Sequence, residues 1–443
     1  MRITMVGTGY VGLVTGACFA DMGNHVTCLD IDERKVATLR RGESPIYEPG
    51  LSEMIQRNAA AGRLDFTTDK TKAYATAQII FICVGTPSRE DGSADLKYVL
   101  AVAEDIGRAI DAQGAKGAGK TVVVKSTVPV GTSHRVRDAI RAITKTPFHI
   151  ADNPEFLKEG DAIQDFMKPD RVVCGVDDEA TGALMRALYD PFVRQGNPIF
   201  VLDVCSAEMV KYASNAMLAC KISFINEIAN LCERMGADIS AVREGMCADK
   251  RIGNQFLYTG LGYGGSCFQK DTQAVVSMGK AVGLDCKLNA SVHEVNQDQR
   301  SHFWAKVQKE LGSDLRGKVL AFWGVAFKPR TDDIREAPSL TLMHHAIGAG
   351  AKVRAYDPVA LEHLAEEMPQ VERAKDPYTC LDGAEALIIC TEWAEFRSPD
   401  WDEIRRRLKR PVIIDGRNLF RGAQLAADGF TYASVGRATV LGA

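Results

Sequence analysis

Residues 1–22 read MRITMVGTGYVGLVTGACFADM, and this stretch says most about the architecture of the chain. An apolar run ending at Val6 leads into Gly7-Thr8-Gly9-Tyr10-Val11-Gly12, after which the apolar spacing becomes helical. A strand, a G-x-G-x-x-G turn and a helix in this order are typical of a dinucleotide-binding unit, whose helix N-terminus faces the pyrophosphate. A second apolar run, His25–Leu29, ends in Asp30, where a carboxylate would accept hydrogen bonds from a ribose hydroxyl. Since Asp30 would repel a 2′-phosphate, the pattern favours NAD over NADP.

Apolar, β-rich runs recur along the first half of the chain, with helical patterns between several of them. They lie at Ile79–Val84, Thr121–Lys125, Phe148–Ala151, Arg171–Val176 and Ile199–Leu202. This alternation predicts a parallel sheet covered by helices. Two of the runs lead into the loops Val84–Pro87 and Ser126–Gly131. Because ligands bind at the carboxyl ends of parallel strands, we expect both loops to line a ligand site.

A single long helix is predicted from Ser206, a residue typical of N-caps, to about Met235, since the stretch contains neither Pro nor Gly. Apolar residues surround much of its circumference, so a second subunit is the economical explanation and packing within one chain is the alternative. Lys211 and Asn215 share one face of this helix. Alone they would be a solvated lysine and an ordinary amide, but together they suit alcohol oxidation, in which an oxygen loses its proton as hydride departs.

A second α/β domain is predicted in the last third of the chain. Strand patterns alternate there with helices at Val319–Gly324, Ala351–Tyr356, Ala386–Cys390 and Val412–Asp415. The domain lacks a G-x-G-x-x-G turn, so we expect it to bind something other than a second NAD. Lys328 and Arg335 follow its first strand, and two cations beside a strand end suit phosphate groups.

The stretch Gly264–Asp271 reads GGSCFQKD and places Cys267 in a glycine-rich turn. If Cys267 opens a helix, Asp271 lies one turn further along the same face. Neighbouring glycines let the backbone approach a ligand, and a helix N-terminus favours the thiolate that attacks a carbonyl carbon. A small buried cysteine beside an ordinary turn is the alternative. The dinucleotide unit that precedes it in the chain favours a catalytic nucleophile.

Composition excludes several classes of protein. The 443 residues include 54 Lys and Arg against 57 Asp and Glu, without long blocks of one sign, so no surface for nucleic acid or anionic membrane is indicated. The strand pattern begins at the second residue, which leaves no signal peptide, and no apolar run approaches the roughly 20 residues of a membrane span. The 12 cysteines form no C-x-x-C pair and the 8 histidines no metal-binding pattern. We therefore expect a soluble, cytoplasmic enzyme with reduced thiols and no bound metal.

In combination, these motifs resemble those of the nucleotide-sugar 6-dehydrogenases. The resemblance spans nearly the whole chain and rests on the opening turn, Ser126–Pro129, Asn153–Leu157, Lys211 with Asn215, Gly264–Asp271, and Phe327-Lys328 with Arg335, in the order of that family. Within it, Asp249–Gly253 followed by Phe256–Tyr258 is most similar to members that act on UDP-glucose. Members specific for GDP-mannose differ just upstream of the cysteine motif, and those for N-acetylated sugars usually carry a G-H-C version of it.

The resemblance implies an α/β protein with two Rossmann-like domains joined by a central helical domain with one long helix. By matching positions, residues 1–203 would bind NAD, residues 204–302 would mediate dimerisation and residues 303–443 would bind the UDP-sugar.

The resemblance also implies a four-electron reaction, in which the C6 alcohol of UDP-glucose becomes the carboxylate of UDP-glucuronate with two NAD per cycle. Cys267 would capture the aldehyde as a thiohemiacetal, which loses a second hydride to become a thioester that water releases. Lys211 and Asn215 would stabilise oxyanions. Asp271, helped by Thr127, would orient or deprotonate water.

Glu155 is a second candidate base, and the sequence does not rank it against Asp271. Contacts with the cofactor would come from Gly7, Gly9, Val11, Gly12, Asp30, Lys35, Thr86, Thr127, Glu159, Lys270 and Arg335. Contacts with the substrate would come from Glu155, Phe156, Leu157, Lys158, Lys211, Asn215, Phe256, Leu257, Tyr258, Thr259, Gly260, Gly264 and Lys328. Arg251 resembles an arginine that reaches into the partner subunit's site, which implies a homodimer or a larger homo-oligomer.

Three alternatives stay open at this point. The chain would be a GDP-mannose or another nucleotide-sugar 6-dehydrogenase, a two-electron β-hydroxyacid dehydrogenase that needs no thiol, or an NAD-binding regulator that has lost catalysis. The sequence leaves open the full range of sugars, the oligomer size beyond a dimer, feedback control and the pathway, although UDP-glucuronate commonly feeds polysaccharide synthesis.

Overall fold

The computed structural model describes residues 1–442. They form two compact units, one of residues Met1–Ser214 and one that begins at Asn215. Each unit is built around its own sheet.

The first unit contains an eight-stranded sheet. Its strands are β1 (Arg2–Val6), β2 (His25–Leu29), β3 (Leu64–Thr67), β4 (Ile79–Ile82), β5 (Lys120–Val124), β6 (Phe148–Asp152), β7 (Val172–Val176) and β8 (Ile199–Leu202), in the order β3-β2-β1-β4-β5-β6-β7-β8. Its helices are α1 (Tyr10–Asp21), α2 (Glu33–Arg40), α3 (Leu51–Ala60), α4 (Lys70–Ala75), α5 (Lys97–Gln113), α6 (Thr132–Ile143), α7 (Ala162–Met167) and α8 (Glu179–Tyr189).

Helices cover both faces of this sheet, which explains why its central strands are continuously apolar. All four residues of β4 are buried: Ile79 and Phe81 belong to one apolar cluster, and Ile80 and Ile82 to another. Burying one such side chain contributes about 1.5–3 kcal/mol. The two clusters hold the strands in register, so the loops at their carboxyl ends lie in fixed positions.

The structure confirms every strand predicted in this unit but adds two features. Edge strand β3 was not predicted, because it has only four residues and includes exposed Asp65. In addition, β7 pairs antiparallel with β6, whereas the spacing predicted a wholly parallel sheet. The carboxyl ends of β1, β2, β4, β5 and β6 therefore share one edge of the sheet, and that of β7 does not.

The long helix, α9, runs from Val204 to Met235. Its 32 residues span about 48 Å. Ser206 was predicted to be its N-cap, but this prediction is wrong because the helix begins two residues earlier, at Val204. Asp203 precedes it, and one carboxylate oxygen of Asp203 accepts the N–H of Ser206 at 2.9 Å.

The second unit begins within α9 and continues with α10 (Ile239–Cys247), α11 (Ser266–Ala281) and α12 (Lys287–Leu311). Its six-stranded sheet consists of β9 (Val319–Trp323), β10 (Lys352–Tyr356), β11 (Glu372–Arg373), β12 (Ala386–Ile389), β13 (Val412–Asp415) and β14 (Thr431–Ser434). Its other helices are α13 (Pro338–Gly348), α14 (Leu361–Glu367), α15 (Trp401–Arg407) and α16 (Gly422–Ala427).

All strand pairs of the second sheet are parallel, in the order β11-β10-β9-β12-β13-β14. The four predicted strands are confirmed, and the edge strands β11 and β14 were not predicted. The predicted fold class, two Rossmann-like sheets with a helical region that contains one long helix, is correct. Within residues 1–442, no helix is both long and apolar enough to cross a membrane.

Candidate active site

The dinucleotide turn follows β1 directly and needs its glycines for steric reasons. Gly7 has φ +100°, and a Cβ there would lie 2.8 Å from the carbonyl oxygen of Cys83. A Cβ on Gly12 would lie 2.0 Å from the carbonyl oxygen of Gly7. A Cβ on Gly9 would meet nothing within 4 Å, so a pyrophosphate has room to approach the backbone where α1 begins. The turn therefore fits NAD.

Asp30 lies beside this turn, at the end of β2. One of its carboxylate oxygens accepts the N–H of Thr8 at 2.8 Å and the Thr8 hydroxyl at 2.6 Å. Burial opposes ionisation of Asp30, but the hydrogen bonds from Thr8 and Asp32 and the charge of Lys35 outweigh it and lower the pKa of Asp30. The carboxylate is thus oriented as an anion beside the turn. Thr8, which orients it, was not predicted as a site residue.

The loops after β4 and β5 are joined where the sequence placed a ligand site. The Thr86 hydroxyl donates to the carbonyl of Thr127 at 2.8 Å, and the Ser126 hydroxyl donates to the carbonyl of Val84 at 2.6 Å. Both predicted residues, Thr86 and Thr127, therefore lie together at the carboxyl edge of the sheet.

Glu155 and Lys211 form a buried ion pair in the first unit. The Lys211 ammonium donates to the Glu155 carboxylate at 2.7 Å and to its backbone carbonyl at 2.6 Å. The second carboxylate oxygen accepts the N–H of Leu157 at 2.7 Å. Burial opposes ionisation, but Lys211 and Leu157 outweigh it and hold the pKa of Glu155 below its usual range. Two predicted catalytic residues are thus brought together with the loop that follows β6.

A cavity of about 140 Å³ adjoins this loop. Its lining includes Glu155, Phe156, Leu157 and Lys158, all predicted to contact substrate, together with Lys125 and Arg171, which were not. The Arg171 guanidinium lies 3.9 Å from the centroid of the Phe156 ring. Lys125 is buried, which lowers its pKa, and donates to the Asn153 side chain at 3.0 Å. Lys125 ends a predicted strand, and that position was the available signal. Arg171 precedes β7, and it lies at this edge only because β7 runs antiparallel to β6, which the sequence did not predict.

In the second unit, Asn215 and Asp271 are hydrogen-bonded. The Asn215 amide donates to one oxygen of the Asp271 carboxylate at 2.6 Å, and the Lys270 ammonium donates to the other at 2.6 Å. Asp271 is 1% exposed, so its charge is balanced by the Lys270 ammonium instead of being solvated by water. Three predicted residues therefore meet at one carboxylate.

Cys267 lies in the first turn of α11, as the prediction required, and Asp271 lies one turn further along. Its side chain is exposed. Gly265 precedes the helix with φ +79°, and a Cβ on it would lie 2.9 Å from the Phe327 ring. A Cβ on Gly264 would lie 2.7 Å from the carbonyl oxygen of Glu336. The glycines are thus needed for close packing on this segment of the same unit. The thiol stands at the N-terminus of α11.

A cavity of about 310 Å³ in the second unit is lined largely by aromatic and apolar groups. Five of the residues in its lining were predicted to contact substrate: Phe256, Tyr258, Gly260, Gly264 and Lys328. The lining also contains residues that were not predicted, among them Asn226, Phe268, Glu392 and Arg417. Arg417 donates to the carbonyls of Cys390 at 2.6 Å and Phe327 at 3.0 Å. It follows the end of β13 by two residues, which was the signal for its position.

The remaining predicted residues lie apart from this cavity lining. Leu257 is 2% exposed and packs in the core, and the Thr259 hydroxyl accepts from Asn418 at 3.0 Å. The guanidinium of Arg251 is exposed and pairs with Asp249 at 2.6 Å, and that of Arg335 pairs with Asp333 at 2.7 Å.

Glu159 lies near Tyr10, which belongs to the dinucleotide turn. Burial of Tyr10 and the neighbouring Glu48 carboxylate raise the pKa of Tyr10, and the charge of Glu159 adds to this increase.

In residues 1–442, no three His, Cys, Asp or Glu side chains are grouped to hold a metal ion.

Three family models match successive parts of the chain. They describe the UDP-glucose/GDP-mannose dehydrogenase family: its NAD binding domain matches residues 1–193, its central domain residues 205–298 and its UDP binding domain residues 321–422. These matches confirm NAD as the cofactor.

Full-length relatives agree with these matches. A UDP-glucose 6-dehydrogenase of Pseudomonas aeruginosa is 46% identical over 99% of this chain and 98% of its own length, and one of Rhizobium meliloti is 45% identical over 99% and 100%. The structure of a UDP-glucose dehydrogenase from Pyrobaculum islandicum is similar with a TM-score of 0.91, at 39% identity over 99% of this chain and 98% of that one. The resemblance is confirmed, and the chain is an NAD-dependent oxidoreductase that belongs to the UDP-glucose/GDP-mannose dehydrogenase family.

Proposed function

We propose that this chain oxidises the C6 alcohol of UDP-glucose to the carboxylate of UDP-glucuronate, using two NAD per cycle. One observation carries the proposal: Cys267 is exposed in the first turn of α11, with Asp271 one turn further along and held by Asn215. A two-electron dehydrogenase has no use for such a thiol, whereas oxidation to the acid requires a group that retains the aldehyde. The relatives named UDP-glucose 6-dehydrogenases support the choice of substrate.

The first oxidation uses Lys211 and Asn215, which lie one turn apart on α9. Their ammonium and amide groups would stabilise the C6 oxygen as its proton leaves. When bound, NAD supplies the hydride acceptor for both oxidations. The ion pair with Glu155 orients the Lys211 ammonium before substrate arrives.

Cys267 then holds the aldehyde. Its sulfur bonds to C6 and its proton passes to the carbonyl oxygen, which gives a thiohemiacetal. Loss of a hydride from C6 and of the hydroxyl proton converts this adduct to a thioester. Water attacks C6, the C–S bond breaks, the sulfur regains a proton and UDP-glucuronate leaves. A thiol suits both stages because it adds to the aldehyde and is a good leaving group from the acyl carbon.

Two carboxylates are available to activate the water. Asp271 is held by Lys270 and Asn215, and Glu155 by Lys211 and Leu157. Asp271 lies on the helix that carries the acylated sulfur, which favours it, and Thr127 would assist. Comparing Asp271→Asn with Glu155→Gln tests this choice: loss of the base stalls hydrolysis, so the thioester accumulates on Cys267 and is detected by mass spectrometry.

The 310 Å³ cavity supports a nucleotide subsite. Aromatic rings such as Phe256 and Phe268 offer apolar walls for a base, while the cations Lys328 and Arg417 suit a diphosphate. We extend the set of proposed substrate contacts by Arg417. The other cofactor and substrate contacts implied by the resemblance stay part of the proposal.

A second copy of the chain is proposed to cover α9. Met217, Phe224 and Leu231 recur every seven residues on this helix and are 57%, 45% and 51% exposed. Such a stripe is typical of a helix that packs against another helix. Arg251 would then reach the site of the second copy. Phe224→Asp should yield monomers in light scattering and lose activity with them, and an unchanged assembly would contradict this arrangement.

We further propose a functional division into residues 1–203, 204–302 and 303–443, supported by the three family models. Within residues 1–442 the twelve cysteines form no disulfide, which supports the proposed cytoplasmic location.

A panel of nucleotide sugars with NAD tests the proposed reaction. We expect UDP-glucose to be the preferred substrate and to yield two NADH and one UDP-glucuronate per molecule. Preference for GDP-mannose would assign another sugar nucleotide. One NADH with an aldehyde or ketone product would indicate a two-electron dehydrogenase, and NAD binding without turnover of any sugar would indicate a regulator.

A further inference from the structure

The segment 262–265, which leads into Cys267, is buried yet belongs to neither a helix nor a strand. Buried backbone N–H and C=O groups require hydrogen-bond partners, and an irregular segment cannot obtain them from a regular ladder. The residues that supply these partners therefore determine where α11 begins.

Asn296, on α12, supplies the first set of partners. Its side-chain oxygen accepts the N–H of Tyr263 at 2.8 Å, and its amide donates to the carbonyl of Tyr263 at 3.1 Å. Gly262 has φ +90°, and a Cβ there would lie 2.5 Å from the Asn296 oxygen. Asn296 is 1% exposed, so water does not replace it.

Arg300, one turn further along α12, supplies the second set. Its guanidinium donates to the carbonyl of Tyr263 at 3.5 Å, to the carbonyl of Glu336 at 3.0 Å and to the Thr341 hydroxyl at 3.1 Å. The backbone carbonyl of Arg335, the residue before Glu336, accepts the N–H of Gly265 at 2.9 Å. Arg300 thus connects the segment before Cys267 with the segment that holds Gly265.

We propose that Asn296 and Arg300 are positioning residues for Cys267. They act through the backbone of Tyr263 and Gly265, and they set the start of α11 so that the thiol stays in its first turn. Displacing a reacting group by about 1 Å costs up to about 100-fold in rate, so this backbone control bears directly on turnover. The inference rests on the proposed role of Cys267 as the nucleophile.

The test compares Asn296→Ala and Arg300→Lys with wild type in two measurements. The first is the rate at which iodoacetamide alkylates Cys267, followed by mass spectrometry of its peptide across the neutral pH range. The second is kcat with UDP-glucose and NAD, alongside the Kd for NAD. We expect alkylation of Cys267 to slow about tenfold at neutral pH, because a thiol displaced from the helix N-terminus loses the backbone N–H groups that favour the reactive thiolate. We expect kcat to fall about 10- to 100-fold, with the Kd for NAD unchanged.

Asn418→Ala is the matched control for the alkylation measurement. Asn418 makes the same double hydrogen bond with a backbone residue, accepting from Val435 at 2.9 Å and donating to its carbonyl at 2.9 Å. Its φ is +54°, so alanine there is destabilising for the backbone as well. We expect this variant to lose stability while alkylation of Cys267 proceeds at the wild-type rate.

Folded variants that alkylate Cys267 within twofold of wild type, or faster, would overturn the proposal. If Asn296→Ala does not fold, Arg300→Lys, which keeps the charge but loses the fork of donors, decides the matter. If the wild-type protein does not oxidise UDP-glucose, the proposed function is contradicted instead. The alkylation rates would still show whether Asn296 and Arg300 position Cys267.

Discussion

The two sheets open with the same backbone arrangement. In the first, β1 ends before Gly7 with φ +100° and β2 ends before Asp30; in the second, β9 ends before Gly324 with φ +92° and β10 ends before Asp357. Each glycine N–H donates at 2.8 Å to the last residue of the neighbouring strand. Each aspartate accepts the N–H of the residue after the glycine at 2.8 Å.

The two aspartates differ in what else they bind. Asp30 is half-buried, and the turn beside it continues with Gly9 and Gly12. Asp357 is 1% exposed, and the second turn has no further glycine. Its carboxylate accepts from the backbone of Val325, Ala326, Val359 and Ala360 and from the Trp393 indole.

The same topology therefore leaves an open turn, the proposed cofactor site, in one unit and a closed structural turn in the other. What separates them is whether the carboxylate and the helix N-terminus remain accessible to a ligand. Four changes to these turns would break or sharpen this contrast.

The largest effect is expected from Gly12→Val. A Cβ at this position would lie 2.0 Å from a backbone oxygen, so the turn and α1 must separate. We expect the Kd for NAD to rise by more than about 1,000-fold, equal to about 4.1 kcal/mol. Isothermal titration with NAD measures this change. Gly348→Ala is the control, because a Cβ there meets nothing within 4 Å, and near-normal NAD binding by Gly12→Val would contradict the steric account.

Asp357→Ala should act on stability rather than on cofactor binding. It leaves buried N–H groups without an acceptor, which costs about 3 kcal/mol of unfolding free energy. Urea unfolding followed by tryptophan fluorescence measures the loss, because all four tryptophans, Trp304, Trp323, Trp393 and Trp401, lie in the second unit. The Kd for NAD should stay unchanged. A variant of unchanged stability, or one whose main defect is in NAD binding, would remove the contrast between the two turns.

Asp30→Ala reverses that pattern. The variant loses the acceptor for the ribose hydroxyl, so the Kd for NAD should rise about tenfold, or about 1.4 kcal/mol, while NADP binding improves relative to NAD. Titrations with both dinucleotides measure the two affinities, and the tryptophan unfolding curve should stay near that of wild type. Equal discrimination against NADP by wild type and variant would show that Asp30 does not read the ribose.

The smallest effect is expected from Thr8→Val, which removes one hydrogen bond to Asp30 and should raise the Kd for NAD about threefold. The pKa of Asp30 is lowered in the folded protein, so its contribution is present above the usual carboxyl pKa and is lost as pH falls through the folded value. Without the Thr8 hydroxyl, the pKa of Asp30 moves up. NAD affinity measured against pH should then begin its acidic loss at a higher pH than in wild type; coincident curves would contradict this.

These contrasts also mark what could be predicted from the sequence. The first turn was recognisable because Gly7, Gly9, Gly12 and Asp30 are close in sequence and their steric roles are local. The closed second turn was not, because Asp357 is satisfied partly by Trp393, which is distant in the chain. The lack of a glycine fingerprint predicted only that a second NAD does not bind there.

In the rest of the fold and the site, too, features set by local sequence were predicted, and features set by tertiary contacts were not. Apolar runs predicted the central strands, but edge strand β3 is short and half polar, and the direction of β7 depends on tertiary pairing. Motif order placed Cys267 and Asp271 on one helix. Arg417 was missed because one cation after a strand resembles any surface arginine until the fold brings it to the cavity wall.

Because α9 is unbroken, it fixes the spacing between the backbone positions that carry the Lys211 ammonium and the Asn215 amide. Lys211 and Asn215 lie four residues apart on an unbroken helix, so their axial spacing is about 6 Å. A single residue inserted between them would rotate the amide about 100° away from the ammonium while preserving every side chain. Length changes in this interval should therefore be far less tolerated than most point substitutions in it.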